Sequence, residues 1–144
     1  MKSRSAPSAG LRRVIVFSAL SVTAASGCAT TAYLQPTTVA PKATGVLKMS
    51  QESDGMTKVV VSAEHLPHPN EFDPALKTFV VWSVSDNGAR VRNLGELAVD
   101  ETGKGLAYVL SPLPTFQLVL TAESSGDVDK PSKYVVLAGM VGPH

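Results

Sequence analysis

The chain has 144 residues and a formal net charge of +1, and its length fits one domain. The charge is unevenly divided. The first 27 residues hold four basic side chains and no acidic one, which leaves −3 for the part from Cys28 onward. The nine basic residues of that part are scattered singly, whereas a nucleic-acid-binding surface needs clustered Lys and Arg. The composition therefore argues against nucleic acid as a partner.

Residues 1–27 have the organisation of an export signal. A basic region over residues 1–13 is followed by an uncharged, largely apolar stretch over residues 14–25, and small residues then lead to Cys28. A positive segment, an apolar segment of about 7–15 residues and a small-residue cleavage point define a secretory signal. We therefore predict a signal peptide over residues 1–27, with the mature protein beginning at Cys28.

The motif Ala25-Ser26-Gly27-Cys28 resembles the lipobox of bacterial lipoproteins. In that family a diacylglycerol, with acyl chains such as palmitate, is attached to the cysteine sulfur, and the signal is cut off just before this cysteine. The resemblance implies cleavage between Gly27 and Cys28 and a membrane anchor through lipid on Cys28. The protein would then lie on the extracytoplasmic side of the cell envelope. Ala29 replaces the Asp that often retains lipoproteins at the inner membrane, which favours the outer membrane where a cell has one.

Two alternatives to the lipoprotein interpretation exist. The segment could be an ordinary signal with a chance cysteine, or a transmembrane anchor. The apolar stretch over residues 14–25 is short for an anchor, because a membrane span needs about 20 apolar residues. Ala25 also departs from the Leu that the lipobox usually has at this position.

Residues 28–44 have the composition of a spacer. Thr, Ala and Pro dominate, and the segment shows neither helical nor strand periodicity, which is typical of a linker. We predict a flexible tether here, followed by a folded domain over residues 45–144. The alternative is that Tyr33 and Leu34 pack on the domain. Because Cys28 is the only cysteine, the domain must fold without an internal disulfide.

Seven short segments after residue 45 are predicted as strands. They are rich in β-branched or alternating apolar residues and are separated by turn signals such as Asp54-Gly55 and Asn87-Gly88. Prolines between the second and third segments predict a long crossing loop, since proline cannot donate to a sheet ladder. The predicted strands cover residues 46–49, 57–63, 78–84, 90–99, 106–110, 116–122 and 134–139.

These elements predict an all-β fold. No segment shows helical periodicity over ten or more residues. Seven short strands with frequent turns favour an antiparallel β-sandwich of immunoglobulin-like type, with a small barrel as the alternative. Trp82 lies in the middle of a strand with no cysteine pair to pack on, so we expect a core or rim residue.

Several short motifs follow one another in a recognisable order. Phe79-Val80-Val81-Trp82 leads to the Asn87-Gly88 turn, and a Leu-Thr-Ala-Glu-Ser-Ser-Gly stretch follows at residues 120–126. This order resembles the extracytoplasmic domain of anti-sigma-K factors and spans about residues 45–141. It implies a similar sandwich that binds or senses something outside the membrane. That family has a cytoplasmic sigma-binding segment and a membrane helix where this chain has a signal and a tether, so sigma-factor inhibition is not implied.

His65 and His68 are the weak candidates for a metal site. Two imidazoles three positions apart, with Glu71 and Asp73 nearby, have the chemistry to ligate a transition metal. A proline constrains the loop between them and no thiolate joins them, so solvated loop histidines are the alternative. We assign no metal here.

The sequence carries no convincing catalytic motif. It has no Gly-x-Ser-x-Gly element, and Gly103-Lys104-Gly105 is too short for a phosphate-binding loop. We predict no catalytic residue, no cofactor and no enzymatic activity. The expected function is that of a lipid-anchored envelope protein that binds a protein or cell-wall partner through its loops or an open edge, or senses an extracytoplasmic signal. The alternative is a metal-binding envelope protein that uses His65 and His68.

Overall fold

The structure is a computed structural model that describes residues 29–142. The predicted signal peptide over residues 1–27 and the predicted lipidation at Cys28 lie outside the described residues. The described part contains eight strands and a short 3-10 helix at Pro69–Glu71. The strands are β1 Thr30–Pro36, β2 Thr44–Gln51, β3 Thr57–Glu64, β4 Thr78–Val84, β5 Val91–Val99, β6 Gly105–Ser111, β7 Phe116–Glu123 and β8 Val135–Val141.

The eight strands close into an antiparallel barrel. Their order around the barrel is β1-β2-β3-β6-β5-β4-β7-β8, and β8 pairs back onto β1. The predicted all-β, antiparallel character is confirmed, and the predicted hairpin of β2 and β3 forms around Asp54-Gly55. The prediction of a seven-strand immunoglobulin-like sandwich is wrong, because an eighth strand at the N-terminus joins β2 to β8 and closes the sheet.

Strand β1 lies inside the segment that the sequence assigned to the tether. Thr30 to Leu34 pair with β2, and Gln35 and Pro36 pair with β8. Leu34 is buried, whereas Tyr33 beside it is 70% exposed. The strand therefore follows the alternation of a half-buried sheet, and a single large apolar residue attaches it to the core. Of the predicted tether, residues 37–43 form the connection from β1 to β2.

The two ends of the barrel carry different sets of connections. All strands alternate in direction, so every connection can be assigned to one end. The N-terminal rim is the end where β1 begins, and its turns are residues 52–56, 85–90 and 112–115. The opposite rim carries the connections at residues 37–43, 65–77, 100–104 and 124–134. The predicted crossing loop, residues 65–77, carries the chain across the opposite rim from β3 to β4.

The core fills the inside of the barrel with alternating side chains of every strand. On β7, the predicted alternation is confirmed, because Phe116, Leu118, Leu120 and Ala122 are all fully buried. On β6 the small side chains Ala107 and Val109 point inward, and Leu106, Tyr108 and Leu110 point outward. The interior leaves no room for larger groups there, because a Cβ at Gly105 would lie 2.5 Å from Leu97 Cδ2.

Candidate functional site

The opposite rim carries the net charge of the part of the chain after Cys28. At or within two residues of this rim lie eight acidic and five basic side chains, a net charge of −3. At or within two residues of the N-terminal rim lie three acidic and three basic side chains, which balance. The mild acidity predicted for the part after Cys28 is therefore concentrated at one end of the barrel. A net negative charge at that end attracts cationic groups and repels anionic ones.

Residues 65–77 are held firmly on this rim. Leu66 and Leu76 are both buried at the barrel mouth and fix the two ends of the loop. The Leu66 N–H donates to the Gly103 carbonyl at 3.1 Å, which ties the loop to the next connection. Gly103 has φ +82, and a Cβ there would lie 2.7 Å from the Leu66 carbonyl oxygen. Only glycine satisfies both this backbone conformation and this close approach.

The middle of the same loop is a capped 3-10 helix. Pro69 occupies its first position, where a missing N–H costs no hydrogen bond. The His68 N–H donates to Glu71 Oε2 at 2.7 Å, and the Glu71 N–H donates to the His68 carbonyl at 2.9 Å. The Glu71 carboxylate is therefore engaged by the backbone of its own loop.

The turn at residues 100–104 is organised by one carboxylate. Asp100 Oδ1 accepts hydrogen bonds from the Thr102 N–H at 2.8 Å, the Thr102 hydroxyl at 2.6 Å and the Lys104 N–H at 3.1 Å. These bonds favour the ionised form, and they hold the pKa of Asp100 below its ordinary value, with the Thr102 hydroxyl as the largest cause. Asp100 thus fixes the turn and contributes to the negative charge of the rim.

A cleft of about 260 Å³ lies between these two connections. Its floor includes the buried side chains of Phe79 and Leu97 together with Val99, which is 38% exposed. Lys77 and Glu101 supply charged groups at its edge. An apolar floor with a few polar groups around it is the usual composition of a ligand or peptide site, so this cleft is the candidate site of the described residues.

The two candidate histidines line different clefts. His68 lines the cleft just described, whereas His65 lines a neighbouring cleft of about 430 Å³ beside residues 39–43. His65 has φ +59, a left-handed conformation that turns the chain at the end of β3. Within residues 29–142, no group of three or more His, Cys, Asp or Glu side chains is arranged to hold a metal ion. The structure therefore places the two predicted candidates beside neighbouring clefts, and among these residues it gathers no set of three or more such ligands with them.

A chain of buried polar side chains lies on the outer face of the barrel, and no local pattern in the sequence indicates it. Trp82 is fully buried, and its Nε1–H donates to the Thr121 hydroxyl at 2.8 Å. The Thr121 hydroxyl donates to Glu123 Oε2, which also accepts from the Ser132 N–H at 2.7 Å. Phe79 and Val81 face the barrel core, so strand alternation directs Trp82 outward. Trp82 is a core residue, as predicted, but it belongs to a second, external core.

The connection at residues 124–134 covers this external core. Asn93, the cross-strand neighbour of Trp82, donates from Nδ2 to the carbonyls of Gly126 and Val128 at 2.9 and 3.0 Å. A side chain at Gly126 would collide with Glu96 on β5, so the connection lies directly on that strand. The Glu123 side chain accepts hydrogen bonds from Thr121 on β7 and from Ser132 in this connection. The network therefore holds the connection in place.

The outer face of β6 carries an exposed apolar stripe. Leu106, Tyr108 and Leu110 are 42%, 69% and 53% exposed. The strand pairs with β5 only through Leu106 and Gly105, so its later residues have β3 as their one strand neighbour in the described part. The predicted open edge is not formed by β6, because the strand pairs with β3 on one side and with β5 on the other.

The comparisons with known proteins give no family assignment. No family model matches the sequence, and a search of curated proteins finds no match. The resemblances to bacterial lipoproteins and to anti-sigma-K factors therefore stay predictions. Among residues 29–142, no helix has the length and apolar character needed to cross a membrane.

Proposed function

We propose that this protein is a non-catalytic, lipid-anchored protein of the cell envelope that binds a protein or cell-wall partner at its opposite rim. The observation that supports the proposal is the position at which the first described strand begins. The predicted cut before Cys28 removes none of the eight described strands, because β1 begins at Thr30. An export signal must be separable from the domain it delivers, and this boundary meets that requirement.

The opposite rim supports a role in binding. It combines a preformed cleft of about 260 Å³ with connections that are fixed by hydrogen bonds. Ordered connections lose little conformational entropy when a partner binds, which favours affinity. Its charge of −3 favours a partner with basic side chains or amines near the contact. The cross-linked peptides of a cell wall, or wall polymers that carry free amino groups, are partners with this chemistry.

The anchor is tested by the mass of the mature protein. Protein extracted from membranes should begin at Cys28 and carry the mass of a diacylglycerol and its acyl chains. A Cys28→Ser variant should lose acyl labelling and leave the membrane fraction. An intact chain in which Gly27 is still joined to an unmodified Cys28 would refute the anchor.

The partner is tested by photo-crosslinking in intact cells. A photoreactive amino acid at Glu101, an exposed residue that lines the cleft, should give a discrete adduct with an envelope protein or wall fragment. The matched control is Gln117, an exposed residue next to the N-terminal rim, which should give no such adduct. Glu101→Lys should weaken the interaction, because it adds a positive charge where a basic partner binds. Equal cross-linking at both positions would contradict the assignment to the opposite rim.

A further inference from the structure

We propose that the N-terminal rim of the barrel rests directly on the bilayer surface when Cys28 carries its lipid, so that the opposite rim points away from the membrane. This inference rests on the proposed lipid anchor. The surface that contacts the N-terminal rim is the headgroup layer of a phospholipid membrane. A long flexible tether would instead leave the orientation of the barrel free.

The length of chain between the lipid and the barrel sets the first constraint. Ala29 is the one residue between Cys28 and the first residue of β1. Two consecutive Cα–Cα steps span at most about 7 Å. A spacer of the predicted 17 residues at 28–44 would reach roughly 60 Å when extended. The ordered strand at Thr30 therefore brings the N-terminal rim to within a headgroup diameter of the anchor.

The direction of β1 gives the second constraint. The strand leaves the N-terminal rim at Thr30 and reaches the opposite rim at Pro36. Seven residues in a strand span about 20–25 Å. Because strands of a closed barrel tilt by about 35–45° from its axis, the connections of the opposite rim project to about 15–20 Å when Thr30 is held at the membrane. A partner in the space beyond the membrane then meets the cleft first.

The surface of the N-terminal rim suits contact with lipid. Three large apolar side chains lie exposed beside it: Val91 at 42%, Leu110 at 53% and Met140 at 50%. They belong to the neighbouring strands β5 and β6 and to β8 on the other side of the barrel. Apolar groups around a surface are stabilised at the boundary of headgroups and acyl chains.

The charge distribution favours the same orientation. The N-terminal rim is balanced, whereas the opposite rim carries a net charge of −3. A membrane surface that contains anionic lipid repels the opposite rim and has little effect on the N-terminal rim. The N-terminal rim has no net positive charge, so its contact with lipid does not depend on anionic headgroups. The orientation should therefore persist in vesicles made of zwitterionic lipid alone.

The test compares one labelled position on each rim of the acylated protein. Asp86→Cys and Glu101→Cys replace exposed acids in turns at the two rims. Cys28 is the only native cysteine, and a lipid on its sulfur makes it unreactive, so an environment-sensitive fluorophore attaches only at the new position. The proteins are placed in phosphatidylcholine vesicles, with and without phosphatidylglycerol, that carry a spin label on the headgroup.

We expect at least threefold stronger quenching of the label at residue 86 than at residue 101 in both vesicle types. Inserting about 20 Gly and Ser residues between Ala29 and Thr30 should reduce this ratio towards one while leaving acylation unchanged. Equal quenching in the original chain, or stronger quenching at residue 101, would overturn the orientation. Mass spectrometry of the same samples separates the two failures, because an unacylated Cys28 refutes the anchor and an acylated one refutes only the orientation.

Discussion

Replacing Leu34 by Ala tests whether β1 is a structural strand of the barrel. Leu34 is 3% exposed, and buried Leu-to-Ala changes typically cost about 2–5 kcal/mol. The cost depends on whether neighbours can fill the space, and here two of them are glycines. A Cβ at Gly45 or at Gly139 would lie 2.8 Å from a Leu34 methyl group, so Leu34 occupies the space above both. No side chain at either glycine can move into the cavity.

We therefore expect a loss in the upper part of that range, about 3–5 kcal/mol. At about 4 °C for each kcal/mol in a domain of this size, Tm should fall by about 12–20 °C. The measurement is thermal and urea unfolding of residues 28–144 with Cys28→Ser, which removes the proposed lipidation site. Tyr33→Ala is the matched control, because Tyr33 is 70% exposed and should change the free energy of unfolding by less than about 0.5 kcal/mol.

A double-mutant cycle sharpens the same test. Gly45→Ala alone should destabilise the barrel, because the new Cβ meets Leu34 Cδ1 at 2.8 Å. In the Leu34→Ala background that methyl group is gone, so the cost of Gly45→Ala should be smaller by at least about 0.5 kcal/mol. If Leu34→Ala costs no more than Tyr33→Ala, or if the two substitutions are additive, the packing assigned to β1 is refuted.

Three further outcomes are expected. Thr121→Val removes the hydroxyl of the buried network and should cost about 1–3 kcal/mol in urea unfolding followed by the single tryptophan. Ser125→Ala, in the connection at residues 124–134 but outside the network, should cost less than half as much. The lowered pKa of Asp100 stabilises the fold above its ordinary value of 3.8, and this contribution disappears as pH falls through the folded-state pKa. The stability difference between wild type and Asp100→Asn should therefore shrink on acidification, and a constant difference would contradict the hydrogen-bond origin. Zinc or copper affinity should be the same in wild type and in a variant with His65→Ala and His68→Ala, because these side chains line separate clefts.

The strands that alternate clearly were predictable from the sequence. All seven predicted strands correspond to β2–β8, because runs such as 57–63 and 116–122 alternate apolar residues between turn signals. Strand β1 was missed because its segment is composed mainly of Thr, Ala and Pro, with Leu34 as its one buried large residue. The composition of a spacer and the composition of a half-exposed strand overlap, and tertiary pairing decides between them.

The site was less predictable than the strands, for a different reason. The sequence places His65 and His68 correctly in a loop, but the separation of their clefts depends on how residues 37–43 and 100–104 pack beside that loop. The external core at Trp82 likewise needs a connection folded over the outer face of the sheet. Contacts between residues that are distant in sequence leave no local periodicity, so neither arrangement has a signal in a single sequence.

The pairing of β1 with β8 has a consequence for the order of folding. The Thr37 hydroxyl donates to the Val135 carbonyl at 2.5 Å, across 98 positions of the chain. In a chain that emerges amino terminus first, the first strand must wait for the last before the barrel can close. Contacts between residues so far apart in sequence require a long loop to close, which costs conformational entropy. They therefore slow the folding step that depends on them. During that wait the edges of β1 and β8 are free to pair with other chains, which makes the interval before closure the time when this protein most needs protection from aggregation.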